Sequence, residues 1–254
     1  VSRFCYLGSN LSRHVNIDEE ADTRIAKASA AFGRLGPSVW NRPGIKVSTK
    51  LAVYKAVVIT TLLYGAETWT IYRRHEKKLN RFHLNCLRKL LGIRWQDKIP
   101  DTEVLTKAKM PSIFAMLRRI QLRWAGHVVR MDSNRLPKQL FFGELTAGTR
   151  SRGGQKKRYK DSAKASMKDL SIDPALFEEL ANDRSSWRAL LKTGSANFEA
   201  MRISAAVAKR DARKNRTQPA QNPGALSCAY CGRHFQARIG LISHLRTHPS
   251  SHPS

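Results

Sequence analysis

Residues 49–69 read TKLAVYKAVVITTLLYGAETW. Leu51, Tyr54, Val58 and Leu62 recur at helical spacing on one side, while Ala52, Val57, Ile59 and Leu63 fill the other. A helix that is apolar around most of its circumference belongs inside a core. Ser48 stands where a helix cap is wanted. The spacing therefore predicts a buried helix over 49–69 and a mainly α fold around it. Although this is the most apolar stretch of the chain, Tyr54, Lys55, Thr60 and Thr61 interrupt it. It falls short of the roughly 20 apolar residues that span a bilayer, so no membrane partner is expected.

Outward from this segment the pattern stays helical. Upstream, 18–35 carries Ile25, Ala28, Phe32 and Leu35 on one face, with Asp18, Glu19 and Glu20 at the positive end of the helix dipole. Before it, 4–11 (FCYLGSNL) reads as a short strand closed by a glycine turn. Downstream, 76–91 is amphipathic, with Leu79, Phe82, Cys86 and Leu90 in one stripe and Lys77, Lys78, Arg81, Arg88 and Lys89 outside it. Asp101 is a candidate cap for a short helix to Lys109. Pro111-Ser112 starts another, which places Ile113, Leu117, Ile120, Trp124 and Val128 on one face. Trp124 is read as core, with Arg118, Arg119, Arg123 and Arg130 on the opposite side. Asp173-Pro174 opens a helix through Leu180, Ser186-Trp187 opens a short one, and 197–214 forms the last. Residues 215–225 have the Pro, Gly and polar composition of a flexible linker.

The chain then ends on a metal-binding pattern. Cys228, Cys231, His244 and His248 are spaced C-x(2)-C-x(12)-H-x(3)-H. Two thiolates on a tight hairpin and two imidazoles one helical turn apart suit one tetrahedral Zn2+. Phe235 and Leu241 supply the small apolar core of a ββα finger, a unit too short to hold together without metal. His234 and His252 lie off the pattern and are excluded as ligands. In fingers of this type the base-reading positions are the residue before the helix, the third and the sixth. Here these are Ala237, Gly240 and Ser243, none of which makes a bidentate contact with a base edge. Arg233, Arg238 and Arg246 are candidate phosphate contacts, giving affinity without sequence choice.

Lys and Arg number 46 against 19 Asp and Glu, a formal net charge of +27 over 254 residues. Such an imbalance points to a polyanion, RNA and/or DNA first and an anionic membrane second. The densest basic run is Arg150, Arg152, Lys156, Lys157, Arg158 and Lys160, which follows Gly153-Gly154 and has little periodicity. It is read as a phosphate-contacting loop, against a plain solvated one. Tyr159 is placed either to stack a base or to be buried. The basic side of 76–91 is a polyanion surface or a solvated face. Lys209, Arg210, Arg213, Lys214 and Arg216 resemble a nuclear import signal, so the expected location is the nucleus, with the cytoplasm as a ribonucleoprotein. Cys5 and Cys86 are read as buried apolar residues in a reducing compartment.

Several long runs carry a resemblance. FCYLGSNLS (4–12), TKLAVYKAVVITTLLYGAETW (49–69), LNRFHLNCLRKLLGIRWQDKIPDTEVL (79–105), RRIQLRWAGHVVRM (118–131), GGQKKRYKD (153–161) and the finger FQARIGLISHLRTH (235–248) look like the C-terminal part of a non-LTR (LINE-type) retrotransposon polyprotein. The resemblance implies a remnant of the reverse-transcriptase palm at 1–15, a thumb/connector-like helical domain at 16–145 and a basic helical connector at 146–214. A linker at 215–225 and a zinc finger at 226–250 complete the expected organisation. The parent polyprotein would be an RNA-directed DNA polymerase acting by target-primed reverse transcription.

That activity is not expected of this chain. The family's paired palm aspartates lie upstream of the YLG strand, and its endonuclease is missing. The chain begins with Val rather than Met and is read as a fragment. Two-metal phosphoryl transfer needs clustered carboxylates, and the acids here are scattered. No Ser/His/Asp, Cys/His or carboxylate constellation marks a catalytic residue, and no small-molecule substrate is expected. The reading is a nucleic-acid-binding fragment that grips template RNA or target DNA. The alternative is a free-standing zinc-finger protein of transcription. Neither the RNA or DNA preference nor the oligomeric state follows from the residues.

Overall fold

A computed structural model describes residues 3–6, 8–12, 17–143, 157–215, 226–235 and 237–248. The chain is mainly helical and divides into two compact units, Val1–Ala206 and Val207–Ser254. The expected 215–225 linker, apart from residue 215, and Arg150, Arg152 and Lys156 lie outside the described residues.

The first unit opens with a hairpin rather than a single strand. Strand β1 (Arg3–Tyr6) pairs antiparallel with β2 (Ser9–Ser12), Tyr6 opposite Ser9. Helix α1 (Asp18–Arg34) follows, with its three acids in the first turn as the dipole favours. Arg24, buried on α1, donates to Glu20 Oε1 at 2.7 Å, to the Gly8 carbonyl at 2.6 Å and to Ser9 Oγ at 3.0 Å. A buried guanidinium is tolerated because a carboxylate and two further acceptors meet it, and the result anchors the hairpin to the helix.

The segment at 49–69 differs from its expectation in its start, its cap, its end and its burial. It runs as α2 (Val47–Val53), a π-helical stretch (Tyr54–Ile59) and α3 (Thr60–Leu62), starting at residue 47 instead of 49. The cap position is Lys46, without a side-chain bond, and Ser48 lies inside the first turn. The rod stops near Leu63 because Gly65 takes φ +76°, and a short 3-10 turn (Ala66–Thr68) follows. Its second side is only partly covered. Tyr54, Val58 and Leu62 are buried, and so are Ile59 and Leu63 of the second side, whereas Ala52 and Val57 are exposed. A π-helical stretch widens the helix and shifts the phase of the residues after it, an irregularity that a 3.6-residue count does not register.

Helix α4 (Arg73–Leu91) buries Leu79, Cys86, Leu87 and Leu90 as expected, and with them His75, Asn80 and His83. Burial pushes the Cys86 thiol up to about 11, so it behaves as the inert buried residue anticipated. The Cys5 side chain lies outside the described residues. Helix α5 (Asp101–Ala108) has Pro100 at the cap position, and Asp101 is its first residue, taking Arg88 Nη2 at 2.5 Å. Helix α6 (Ile113–Val129) begins as expected at Ser112, whose Oγ accepts from the Ala115 N–H at 3.4 Å. Asn80 Oδ1 accepts the Ile113 N–H at 3.1 Å, matching a second free donor of that first turn.

Beyond α6 come α7 (Leu136–Phe142), α8 (Tyr159–Asp169) and α9 (Phe177–Asn182). Asp173 makes a turn, its Oδ1 accepting the Ala175 N–H at 2.9 Å, so α9 starts at Phe177 rather than after Pro174. The short helix expected from 186 and the last one expected over 197–214 are one, α10 (Arg184–Lys214). Gly194 does not break it. The missing side chain lets the Leu170 carbonyl approach to 3.0 Å of where a Cβ would stand, and this packing holds the helix straight through.

The unit has two apolar cores, and α6 contributes to both. Ile113 and Leu117 join Ala28, Tyr54, Leu62, Leu79 and Val104 in one. Leu122 and Ala125, further along α6, join Met167, Phe177, Trp187 and Leu191 in the other. Trp124 is not core. It is half-buried, and its ring lies 5.5 Å from that of His127. At this point α6 buries the face that carries Leu122 and Ala125 against α8 and α9, which leaves Trp124 at the edge of the contact. Among the described residues no helix is long and apolar enough to cross a membrane.

In the second unit, β3 (Leu226–Ser227) pairs antiparallel with β4 (His234–Phe235), and α11 (Arg238–Leu245) packs on them. This is the ββα arrangement expected of the finger.

Candidate metal centre and nucleic-acid interface

The finger's local chemistry converges on one point. Gly232 has φ +70°, and its N–H donates to the Cys228 carbonyl at 2.9 Å while the Cys228 N–H donates to the Arg233 carbonyl at 2.9 Å. This knuckle turns both thiols to one side. His244 lies on α11 and His248 follows four residues later, in the turn just beyond the helix end. Cys231 Sγ lies 3.1 Å from His244 Nε2, Cys228 Sγ 3.4 Å from His248 Nε2, and the two Nε2 atoms are 3.0 Å apart. All four ligand atoms fall within 4.8 Å of one another. A tetrahedral zinc with bonds of about 2.0–2.3 Å sets its ligands roughly 3.3–3.8 Å apart, so the cluster is already close to the size of a metal's coordination shell.

The electrostatics agree with that use. Burial opposes ionisation of the Cys228 thiol, but N–H groups of Tyr230 and Cys231 and the Cys231 thiol outweigh it and hold the thiol below its ordinary value. Burial, His248 and Arg233 keep His244 below its usual value, so its imidazole is neutral and free to donate an electron pair. The Phe235 ring packs 4.8 Å from that of His244. Four such residues can hold one metal ion, and their two-sulfur, two-nitrogen donor set is consistent with zinc. His234 is exposed on β4 and outside this group; His252 lies outside the described residues.

The basic residues singled out in the sequence are dispersed. Arg233, Arg238 and Arg246 are exposed on the finger. Ala237 occupies the cap position of α11, with Gly240 and Ser243 within the helix. Lys157 is exposed, its N–H on Tyr72 Oη at 3.2 Å and its Nζ 5.6 Å from the Tyr72 ring centre. Arg158 pairs with Asp161 at 3.3 Å on the exposed surface, where such pairs contribute little. Lys160 sits on α8 rather than in a loop, and is half-buried. Tyr159 is structural. Its hydroxyl donates to the Glu67 carbonyl at 2.7 Å, and burial together with Glu67 pushes the phenol far above its ordinary value. The basic side of α4 is partly neutralised within the fold, Lys78 by Asp22 and Arg88 by Asp101.

One basic grouping escaped the sequence pattern. Arg123, Trp124 and His127 of α6, with Arg130 just past its end, line the same groove as Arg184 and Arg188 at the start of α10. The i, i+4 spacing of the last two was a visible sign that they share a helix face. Nothing in the order of residues tied that face to α6.

The chain is similar to an uncharacterized transposon-derived protein of Caenorhabditis elegans. The two are 25% identical over 206 residues, which cover 78% of this chain and 72% of that protein. No family model matches the chain, and no solved structure does.

Proposed function

We propose that this chain is a nucleic-acid-binding C-terminal segment of a retrotransposon reverse transcriptase. It grips template RNA or target DNA through basic surfaces and a zinc-loaded finger, without catalysis of its own, in the nucleus. The observation that carries the reading is the excess of 46 basic over 19 acidic residues. Many of the acids are engaged inside the fold: Asp18 with Arg74, Asp22 with Lys78, Glu76 and Asp169 with Arg118, Glu199 with Arg202. The remaining cations therefore face solvent with little internal compensation, the condition under which a polyanion binds by releasing counterions. The transposon-derived relative and the Cys/His cluster support the same assignment.

Within this reading Cys228, Cys231, His244 and His248 hold one zinc. The metal supplies folding energy and no chemistry on the substrate. Arg233, Arg238 and Arg246 contact phosphates, while Ala237, Gly240 and Ser243 leave base edges unread. Arg150, Arg152, Lys156, Lys157, Arg158 and Lys160 add a second phosphate-contacting region.

A salt titration on unrelated sequences of equal length tests the proposal. Replacing Lys156, Lys157 and Arg158 with Ala flattens the log–log slope by roughly two to three units, since each phosphate contact adds about 0.9 on duplex DNA or about 0.7 on single strands. All sequences weaken about equally. An unchanged slope would show that this run is merely solvated, and no binding at any salt would sink the proposal as a whole.

A further inference from the structure

The groove between α6 and the start of α10 encloses about 430 Å3 and is lined by Arg123, Arg130, Arg184 and Arg188, with Glu67 as the one acid among the described residues that line it. In a neighbouring groove of the same unit, two of the arginines are neutralised. Arg118 holds both Glu76 and Asp169, and Arg202 holds Glu199. In this groove Arg123, Arg184 and Arg188 form no ion pair among the described residues, and all three are exposed. Asp183, adjacent in sequence, makes no ion pair with them among the described residues. Its carboxylate is taken by the N–H of Ser185 at 2.9 Å, the N–H of Ser186 at 3.2 Å and both serine hydroxyls.

Four guanidinium groups gathered around one groove repel each other. Burial, then Arg184 and Arg188, hold the Arg130 guanidinium below its ordinary value, against a weaker pull from Asp183. Arg130 also donates to the Ala181 carbonyl, which fixes it in place. The arrangement is made from separate elements, and a close fit maintains it. The indole N–H of Trp187 donates to the Leu122 carbonyl at 3.0 Å, and a Cβ on Gly126 would stand 2.2 Å from that nitrogen. The absence of a side chain at Gly126 thus lets α10 lie close enough to α6 for their arginines to face one space. Trp124, half-buried on the groove wall, presents an aromatic surface among them.

We propose that this groove binds a single-stranded nucleic acid, with Arg123, Arg130, Arg184 and Arg188 contacting successive phosphates and Trp124 stacking an unpaired base. The proposal rests on the nucleic-acid-binding reading above and adds the site and the strandedness. Planar guanidinium groups match phosphate oxygens bidentately. Base stacking on an aromatic ring is open only to unpaired bases and is tolerant of sequence.

The test uses the full zinc-loaded chain, a labelled oligo-dT or oligo-rU, a duplex of equal length, and vesicles containing phosphatidylserine as competitor. Arg184→Ala with Arg188→Ala lowers the single-strand salt slope by about 1.4, twice the roughly 0.7 expected of each contact. Trp124→Ala weakens single-strand binding about 5- to 150-fold without changing the slope and leaves duplex binding unaltered, while Trp124→Phe recovers most of the loss. Unchanged circular dichroism in each variant shows that the fold is retained. If the wild-type chain binds oligonucleotides but the double variant keeps its slope, the groove is not the site. If Trp124→Ala weakens duplex and single strand alike, or neither, the strandedness is wrong. Vesicles that displace the oligonucleotide only from chains with an intact groove would make it a lipid site. Absence of any oligonucleotide binding by the wild type would instead overturn the broader reading.

Discussion

Trp187 in the helical unit and Phe235 in the finger are both large aromatic rings beside a helix, yet their surroundings differ. Trp187 is 1% exposed and sits among Leu122, Ala125, Met167, Phe177 and Leu191. Phe235 is only half-buried, and in its unit Cys228 is the one buried residue among those described, while Ile239 is 79% exposed. Burying a large apolar side chain contributes about 1.5–3 kcal/mol. The helical unit gathers many such contributions; the described residues of the finger gather almost none, and instead bring four ligand atoms within 4.8 Å of one another. The same chain therefore contains one region held by buried area and another with a cluster that can hold a metal ion.

The largest expected effect is selective loss of the finger. One zinc per chain is expected after dialysis, by elemental analysis, and Cys228→Ala with Cys231→Ala abolishes it. Because apparent zinc-binding energies of such units are about 10–16 kcal/mol, the variant loses the order of 226–248 while the helical unit melts at its original temperature. Limited proteolysis and thermal melting read the two regions separately. Stoichiometric zinc retained in the variant would refute the ligand assignment, and a collapse of both regions together would refute their independence.

A smaller effect separates the regions by pH. His83 is enclosed: Tyr54 Oη donates to its Nδ1 at 2.8 Å, and its Nε2 donates to the Pro111 carbonyl at 3.3 Å, an arrangement that needs the neutral ring. Burial lowers its pKa from 6.5 to about 4. Between those values the unfolded chain binds a proton that the folded chain refuses, so stability falls as pH drops from about 6.5 to about 4 and levels off below. The loss is on the order of 3 kcal/mol. Urea midpoints measured in the Cys228→Ala, Cys231→Ala background isolate the helical unit. There, Tyr54→Phe with His83→Leu removes this component, and an undiminished slope with pH would assign the acid sensitivity elsewhere.

The smallest expected effect concerns one helix end. Ser112 caps α6 and donates to Glu199 Oε2 at 2.5 Å, so it joins α6 to α10. Ser112→Ala costs about 1 kcal/mol and lowers the melting temperature of the helical unit by about 2–4 °C, with zinc content unaltered. A change in zinc content would mean that the two regions are coupled after all.

Much of this molecule was written locally. The four metal ligands, the hairpin and helix that carry them, and the helices at 18–34, 73–91 and 113–129 follow from spacing, because ligand geometry and amphipathic periodicity involve neighbours in the chain. So does the cap at Ser112. The errors arose where a distant partner decided the outcome. Trp124 has helical spacing with Ile113 and Leu117, but which residues of α6 are covered depends on where α8, α9 and α10 lie. Residues 184–214 were expected as two helices and form one, with Leu170 packed against Gly194. The buried pair of Tyr54 and His83, 29 residues apart, and the gathering of Arg123 and Arg130 with Arg184 and Arg188 have no local signature at all. Periodicity and ligand spacing are properties of one segment, whereas burial and electrostatic crowding are properties of the space between segments, and only the packed chain defines that space.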